Sequence, residues 1–254
     1  MAGARTFTDL VAEAEAVPTE GWDFSWFEGR ASEARPSWGY QRRMGRRMAD
    51  ARAALDIQTG GGEVLAGVPR RPPLCVATES WPPNVARAAA RLLPLGATVV
   101  TAEDTELPFA EGAFDLVVSR HPVAPRFEEI ARVLRPEGVY FAQHVGPGNA
   151  FELIEYFRGP QSREAWNERD PDQERARAEA AGLEIVDVRT ERLQMTFYDI
   201  GAVVHFLRKV IWTLPDFTVA SCHHRLRELH EHIVAQGAFV AHSTRTLFEA
   251  RKPA

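Results

Sequence analysis

The nine residues 54–62, A-L-D-I-Q-T-G-G-G, constrain the fold of this chain more than any other segment. A short apolar run ends in an acid and opens into a turn whose last three positions carry no side chain. Glycine reaches positive φ at low cost and lets the backbone approach a ligand without an intervening Cβ. Such a turn is typical of the carboxyl end of the first strand in an open α/β sheet, where ligands bind. A plain tight loop is the alternative interpretation.

The rest of the chain alternates short apolar runs with helical stretches. Six further segments have the length and the β-branched or aromatic content of strands, namely 73–78, 97–101, 114–119, 139–143, 183–188 and 238–250. Helix candidates lie between them, notably at 84–93 and 126–134. Parallel neighbours need a crossover connection, so this alternation predicts a Rossmann-like, doubly wound α/β fold. We expect a mainly parallel, seven-stranded sheet with helices on both faces.

Two kinds of segment lie outside this alternation. Residues 1–52 are predicted to form a helical and aromatic cap, and residues 53–254 the α/β domain, with cap insertions near 147–181 and 198–236. Aromatic residues concentrate in these segments and predict an apolar pocket for a small molecule. The pocket candidates are Trp22, Trp26, Trp38, Tyr40 and Tyr198. Aromatic packing between cap helices explains them equally well.

Composition narrows the class of protein. With 254 residues, 45% of them hydrophobic, the chain can bury a full core without a metal or disulfide staple. The two cysteines, Cys75 and Cys222, have no cysteine partner nearby, which favours a reducing cytoplasm. No signal peptide and no membrane span is predicted, so we expect a soluble protein.

Charge argues against nucleic acid as the partner. The formal net charge is −5, whereas neutralising phosphates normally takes a basic face. The exception is a helical run containing Arg42, Arg43, Arg46 and Arg47, two pairs four residues apart. A solvated helix face is the simpler interpretation of that run.

Five ordered motifs carry a resemblance to a known family. They are D-I-Q-T-G-G-G (56–62), T-E-S-W-P (78–82), E-D-T-E-L-P-F (103–109), G-A-F-D-L-V-V-S (112–119) and E-E-I-A-R-V-L-R-P-E-G (128–138). Together they make residues 54 to about 145 resemble a class I S-adenosylmethionine-dependent methyltransferase, of the type that includes quinone-biosynthesis methyltransferases. An ordered set is far more specific than any single motif. The resemblance implies S-adenosylmethionine as cofactor and S-adenosylhomocysteine as product.

The resemblance also implies a layout for the cofactor site. Glu79 would accept hydrogen bonds from the ribose hydroxyls, and Trp81 would lie against the adenine face. Glu103 would take the adenine amino group, with Asp104 as the candidate if the register shifts by one. The other implied members are Asp56, Gln58, Thr59, Gly60, Gly61, Gly62 and Ser119. The alternatives are a solvated strand-end acid for Glu79, a core aromatic for Trp81 and a loop cap for Glu103.

The chain departs from the family pattern at two positions. Gln58 replaces the first glycine of the turn, and Glu137 replaces a glycine in a surface turn. The amide of Gln58 would bond the cofactor carboxylate or reshape the turn, and a catalytically silent protein that binds the cofactor is therefore an alternative. An oxidoreductase is disfavoured because Leu65 stands where the dinucleotide fingerprint needs its third glycine.

Methyl transfer from a sulfonium is an in-line displacement that depends mainly on alignment. If the acceptor loses a proton, histidine is the base best matched to neutral pH. His121 and His144 follow predicted strands and are the candidate bases, although a hydrogen-bonded pocket histidine is an equal interpretation for each. No ligand spacing predicts a metal. The sequence therefore predicts methyl transfer to a small, aromatic or apolar organic acceptor, with RNA as the alternative acceptor.

Overall fold

The computed structural model describes residues 5–19, 23–166 and 169–254, without the side chain of Arg163. Eight strands form one sheet in these residues. Their bounds are β1 Ala31–Glu33, β2 Ala53–Ile57, β3 Leu74–Glu79, β4 Thr98–Thr101, β5 Phe114–Arg120, β6 Leu134–Val145, β7 Glu184–Phe197 and β8 Phe239–Arg251. Their order across the sheet is β1-β7-β8-β6-β5-β2-β3-β4.

The helices fall between the strands, as the alternation predicts. They are α1 Phe7–Ala16, α2 Tyr40–Asp50, α3 Glu63–Ala66, α4 Pro82–Leu92, α5 Phe127–Val133, α6 Phe151–Arg158, α7 Arg163–Trp166, α8 Pro171–Ala180, α9 Ile200–Lys209 and α10 His223–Gln236. Several begin where the sequence provides a cap: the Thr6 hydroxyl accepts from the backbone of Asp9, and Asp199 accepts from the backbone of Ala202. Such caps satisfy amides that the first turn leaves unpaired.

The parallel strands of the sheet define the edge at which a ligand would bind. β2 pairs in parallel with both β3 and β5, while β3 pairs with β4 and β5 with β6 in the same sense. The chain thus runs outward to one side of β2 and then returns to fill the other side. The point where the order reverses lies between β2 and β5, where Ile57 is opposite Ser119. Ligands of open α/β sheets bind outside the carboxyl ends of the strands at such a point.

The predicted mainly parallel sheet is confirmed, but the predicted strand number of seven is wrong. The additional strand is β1, which pairs antiparallel with β7 from Ala31 opposite Phe197 to Glu33 opposite Met195. It is three residues long, and Ser32 and Glu33 are exposed, so it carries no apolar alternation that could indicate a strand. β8 also runs antiparallel, along β6.

Contacts divide the chain into two compact units. The larger unit comprises residues 35–147, 169–191 and 245–254 and holds every parallel strand. Its two cores cover opposite faces of the strands, because successive side chains alternate between faces. Phe127, Tyr140 and Phe248 belong to one core, and Tyr40 and Phe141 to the other.

The smaller unit comprises the described residues up to 34, 148–166 and 192–244. Its core is built on α1 and α9, whose buried residues include Phe7, Leu10, Val203 and Val204. No helix among the described residues is long and apolar enough to cross a bilayer. The predicted cap function of residues 1–52 and of the two insertions stays a prediction.

Candidate active site

The glycine-rich turn after β2 has an unusual backbone. Gln58, Gly60 and Gly62 have φ values of 53°, 65° and 78°, all in the left-handed region. A Cβ at Gly62 would lie 2.9 Å from side-chain carbons of Leu92, so this position has no room for a side chain. The amide of Thr59 donates to the Thr78 carbonyl at 2.9 Å, which ties the turn to β3. The turn is therefore fixed by the chain itself.

The carboxylate of Glu79 holds this turn in place. Its Oε2 accepts from the amide of Gly60 at 2.8 Å, and its Oε1 accepts from the amides of Ser80 and Trp81, both at 3.0 Å. The residue is buried, with 5% of its surface exposed. A carboxylate has about four acceptor positions, so about one remains after these three bonds. Glu79 can therefore accept one ribose hydroxyl directly, and a second hydroxyl must share a position with a backbone amide.

Asp56 is the second acid at this edge. It lies within β2, is buried, and accepts from the Thr59 hydroxyl at 2.7 Å. Burial raises the pKa of Asp56 to about 7, and the nearby charge of Glu79 adds to the rise. The carboxyl group therefore gains or loses its proton close to neutral pH.

A small cleft opens at the reversal point of the strand order. It is lined by Ile57, Asp104, Ser119, Pro122, Pro125, Arg126, Ile130 and Tyr140. The Ser119 hydroxyl donates to the Ile57 carbonyl at 3.1 Å and so joins β5 to β2 at the base of the cleft. Asp104 is half-buried and burial raises its pKa, whereas Glu103 is exposed. Asp104, rather than Glu103, lines the cleft.

Trp81 is the N-cap residue of α4, two positions beyond Glu79, and is 45% exposed. An exposed ring at a helix start is available to cover a flat ligand. The Gln58 side chain contacts the backbone of the chain itself, because its Nε2 donates weakly to the Ala102 carbonyl at 3.5 Å. The predicted contacts of both residues with the cofactor stay predictions.

His121 follows β5 directly and is held on two sides by Gln143 of β6. The His121 backbone, at φ 60°, donates to the Gln143 carbonyl at 2.7 Å, and the Gln143 side-chain nitrogen lies 3.1 Å from Nε2 of His121. The indole nitrogen of Trp38 donates to Oε1 of Gln143 at 2.9 Å. An indole N–H can only donate, so the amide oxygen must face Trp38 and the amide nitrogen must face His121. Nε2 of His121 therefore accepts, and the neutral ring carries its proton on Nδ1.

The surroundings of His121 keep the ring neutral. Burial lowers its pKa well below the ordinary value, and the positive charges of Arg245, Arg120 and Arg169 add to this effect. At pH 7 the imidazole is thus a neutral hydrogen-bond donor through Nδ1.

His144 has a different environment, although it also lies at a strand end. It is 1% exposed, its Nδ1 lies 2.6 Å from Glu174 Oε2, and its Nε2 lies 3.0 Å from the Tyr140 hydroxyl. The ring stacks on Phe248. Both nitrogens are engaged inside the core, on the sheet face opposite to Gln143. The structure brings His121 together with Gln143 and Trp38 but leaves His144 in a buried network.

The aromatic residues predicted for the acceptor pocket are distributed over both units. Trp22 lies outside the described residues. In the larger unit, Trp38 and Tyr40 are buried, and the Tyr40 hydroxyl donates to the Ser119 carbonyl at 3.0 Å. In the smaller unit, the guanidinium of Arg30 lies 4.1 Å from the Trp26 ring. Tyr198 of that unit is 47% exposed. Trp38 and Tyr40 are therefore buried in the core of the larger unit, and the pocket assignment of all five residues stays a prediction.

Gln143 is a functional candidate that the sequence prediction did not include. The motif Q-H-V-G at the end of β6 draws attention to its histidine. Successive residues of a strand face opposite sides of the sheet, so Gln143 and His144 cannot both face the same site. This alternation is the available signal, and the contact with His121, which follows β5, is what identifies Gln143 rather than His144 as the residue that faces the site.

Comparison with known proteins agrees with this geometry. Residues 55–142 match the family model described as a methyltransferase domain. No curated protein matches the chain by sequence.

Three solved structures share the fold. A predicted methyltransferase of Bacillus halodurans is 17% identical, with 84% of this chain and 98% of that chain covered and a TM-score of 0.58. A phosphoethanolamine N-methyltransferase of Haemonchus contortus, solved with phosphomonomethylethanolamine and S-adenosylhomocysteine, is 17% identical, with 99% and 61% covered and a TM-score of 0.53. A predicted methyltransferase of Haloferax volcanii, solved with the Trm112 activator, is 16% identical, with 98% and 96% covered and a TM-score of 0.51.

At these identities the structures establish the fold, and the family model establishes the kind of domain that the fold carries. Residues 55–142, about a third of the chain, therefore carry a methyltransferase domain of the kind that uses S-adenosylmethionine.

Proposed function

We propose that the chain transfers a methyl group from S-adenosylmethionine to a small organic acceptor with an aromatic or apolar body, by in-line displacement. One observation carries the proposal. Three neighbouring parallel strands, β3, β2 and β5, end at one edge in Glu79, the glycine-rich turn and His121. An acid for the cofactor, a close backbone approach and a donor for the acceptor thus occupy one edge.

The acid side of this edge suits the cofactor. When bound, S-adenosylmethionine supplies a methyl group made electrophilic by a positively charged sulfur. Glu79 would accept from the ribose, Asp104 from the adenine amino group, and Trp81 would cover the adenine face. Asp56, Thr59, Ser119 and the turn residues Gln58, Gly60, Gly61 and Gly62 would complete the surroundings. Carboxylates match this ligand because hydroxyl, amino and ammonium groups all donate to them.

His121 is the side chain we assign to the acceptor. Its Nε2 is occupied by Gln143, so its protonated Nδ1 can orient an acceptor atom. Holding the acceptor in line with the reactive carbon is the main contribution that such an enzyme makes. We therefore propose His121 as an orienting donor and keep His144 as a residue of the buried network.

A small acceptor is favoured over RNA by the ion pairs of α2. Arg47 donates to Glu249 at 2.6 Å, and its guanidinium lies 4.0 Å from the Phe141 ring. Arg43 lies 3.9 Å from a carboxylate oxygen of Asp187. Two of the four arginines that would contact RNA phosphates, Arg43 and Arg47, are thus paired within the protein. Steep salt dependence of RNA binding would revive the RNA alternative.

Calorimetric titration with S-adenosylmethionine and S-adenosylhomocysteine tests the first half of the proposal, with NADH as the control ligand. We expect binding of both sulfur ligands and none of NADH. A panel of small acceptors, with S-adenosylhomocysteine formation as the readout, tests the second half. Absence of sulfur-ligand binding would contradict the proposal. Binding without turnover on any acceptor would favour the catalytically silent alternative suggested by Gln58.

A further inference from the structure

The surroundings of His121 specify the chemistry of the acceptor. We infer that the methyl acceptor is an organic anion, such as an aromatic carboxylate, whose anionic oxygen accepts a hydrogen bond from Nδ1–H of His121 beside Arg120 and Arg169. The inference rests on the proposed function, because it names the substrate class of the same site. Gln143 and Trp38 enter it as positioning residues, since they act through the imidazole.

The first argument is the availability of Nδ1. Nε2 is engaged by Gln143 at 3.1 Å. Within the described part of the chain no group is hydrogen-bonded to Nδ1, and Nδ1 is not one of the fully buried polar atoms that lack a partner. His121 is half-buried, so the protonated nitrogen is not completely enclosed and is the ring nitrogen that a ligand would contact. It offers a donor, so the complementary ligand atom is an acceptor.

The second argument is the charge around this donor. Arg120 precedes His121 in the chain, and Arg169 donates to the carbonyl of Pro122, the next residue, at 3.5 Å. Arg245 lies on β8 opposite Val145, two residues beyond Gln143. Burial lowers the pKa of His121, and the positive charges of Arg245, Arg120 and Arg169 lower it further, so these three guanidinium groups act on the imidazole. An anionic oxygen at Nδ1 would be attracted by the same charges, whereas a cationic amine would be repelled.

The third argument is the proton balance of the reaction. A hydroxyl or ammonium acceptor has to lose a proton, and the one lone pair on the His121 ring is already taken by Gln143. An anionic oxygen has no proton to lose. It forms a bond to the methyl carbon as the carbon–sulfur bond breaks, and the electron pair of that bond stays on sulfur. The products are a neutral methyl ester or ether and a neutral thioether, so a base is unnecessary.

Nuclear magnetic resonance of the histidine ring nitrogens tests the tautomer without any turnover. In the unchanged chain we expect the His121 ring to show a proton on Nδ1, with the signal assigned by its loss in His121→Gln. Gln143→Glu cannot donate to Nε2 and should move the proton to Nε2. If that variant does not fold, Trp38→Phe frees the Gln143 amide to rotate and should weaken the preference for Nδ1. A proton on Nε2 in the unchanged protein would overturn the inference.

Titration with benzoate, and with benzamide as its neutral counterpart, tests the anion preference, with and without S-adenosylhomocysteine present. We expect benzoate alone to shift the His121 ring signals. Arg120→Gln should weaken benzoate binding roughly two- to five-fold, the usual range for a partly exposed charge pair. Arg70→Gln is the matched control, because Arg70 is an exposed arginine before the amino end of β3. It should leave benzoate binding unchanged.

The outcomes separate the two proposals. Equal shifts from benzoate and benzamide, or none from benzoate, would overturn the anionic acceptor while calorimetry still supports a methyltransferase. Failure to bind S-adenosylhomocysteine would overturn the proposed function, and the benzoate titration would still report on the anion site alone.

Discussion

The carboxyl edge of the parallel sheet has two sides that differ in charge. On the β2 and β3 side lie the acids Asp56 and Glu79, with Asp104 lining the cleft. On the β5 and β6 side, Arg120 and Arg169 flank His121. A positively charged cofactor and an anionic acceptor would each find opposite charge on their own side. The opposite charges of the two sides favour different ligands at one edge of the sheet, independently of ligand shape.

The two sides also differ in how they are held. Glu79 is fixed by backbone amides, whereas His121 is fixed by a relay of side chains from Trp38 through Gln143. Substitutions on the acid side should therefore disturb the turn and the cofactor together. Substitutions on the basic side should change the ring tautomer and leave the turn intact.

The largest effect on stability should come from substitution of His144. This substitution also tests whether His144 is separate from the basic side around His121. Among the described residues, His144→Ala leaves the buried Glu174 with Arg177, at 3.9 Å, as its remaining ion-pair partner, and loss of one partner of a buried pair costs about 3 to 5 kcal/mol. Denaturant unfolding measures this loss. The joint change His144→Leu with Glu174→Leu is the control and should cost less. If His144→Ala altered the His121 tautomer, the distinction between the two histidines would fail.

Glu79→Ala tests the acid side directly. It removes the bond to Gly60 and the predicted ribose contact, so the affinity for S-adenosylhomocysteine should fall by about 1 to 3 kcal/mol. Calorimetry measures the change, and Glu106→Ala, an exposed acid in the loop after β4, is the control. Unchanged affinity in Glu79→Ala would contradict the assignment of Glu79 to the cofactor site, and with it the contrast between the acid side and the basic side.

Asp56→Asn tests whether the buried negative charge of Asp56 lowers the stability of the folded protein. The folded-state pKa of Asp56, about 7, lies above its unfolded value, so the folded protein holds more protons between about pH 4 and pH 7. The stability that this group contributes is therefore lost as pH rises through that window, by up to about 1.4 kcal/mol per pH unit. Unfolding free energies measured across the window should fall more steeply in the unchanged protein than in Asp56→Asn. Parallel curves would contradict the burial argument.

Substitution of Gln58 should have the smallest effect, and it tests the role of this residue in the glycine-rich turn. Gln58→Gly and Gln58→Ala both remove the amide, but only glycine accepts φ 53° without strain. Gln58→Gly should therefore be more stable than Gln58→Ala by about 1 kcal/mol. Calorimetry on both variants then shows whether the amide contacts the cofactor. A shared loss of affinity would assign Gln58 to the site, and unchanged affinity would leave it as a turn residue.

Most of the fold could be predicted because its signals are local. Apolar runs such as 114–119 and the glycines at 60–62 report on strand and turn geometry without knowledge of distant partners. β1 escaped prediction because its three residues form a strand only through pairing with β7. That pairing joins segments more than 160 residues apart in the chain, which no local pattern encodes.

The site was less predictable, because contacts between residues that are distant in the sequence determine which side chains belong to it. The motif predicts an acid after β4, but burial, not sequence, separates Asp104 from Glu103. Likewise, His121 and His144 both follow strands, and only the partners Gln143 and Glu174 distinguish an accessible ring from an enclosed one. The tautomer of His121 depends on the indole of Trp38, which lies more than 80 residues earlier in the chain.

The three backbone bonds of Glu79 have a consequence for the thermodynamics of binding. A segment with three successive glycines is the most entropically costly kind of backbone to order. Here the ordering is completed during folding, through a carboxylate of the chain itself. Ligand binding then does not have to order the loop, so the loss of conformational entropy weakens binding only slightly. The amide of Gly60 should accordingly be slow in hydrogen exchange before any ligand is added, and addition of S-adenosylhomocysteine should slow it only slightly further.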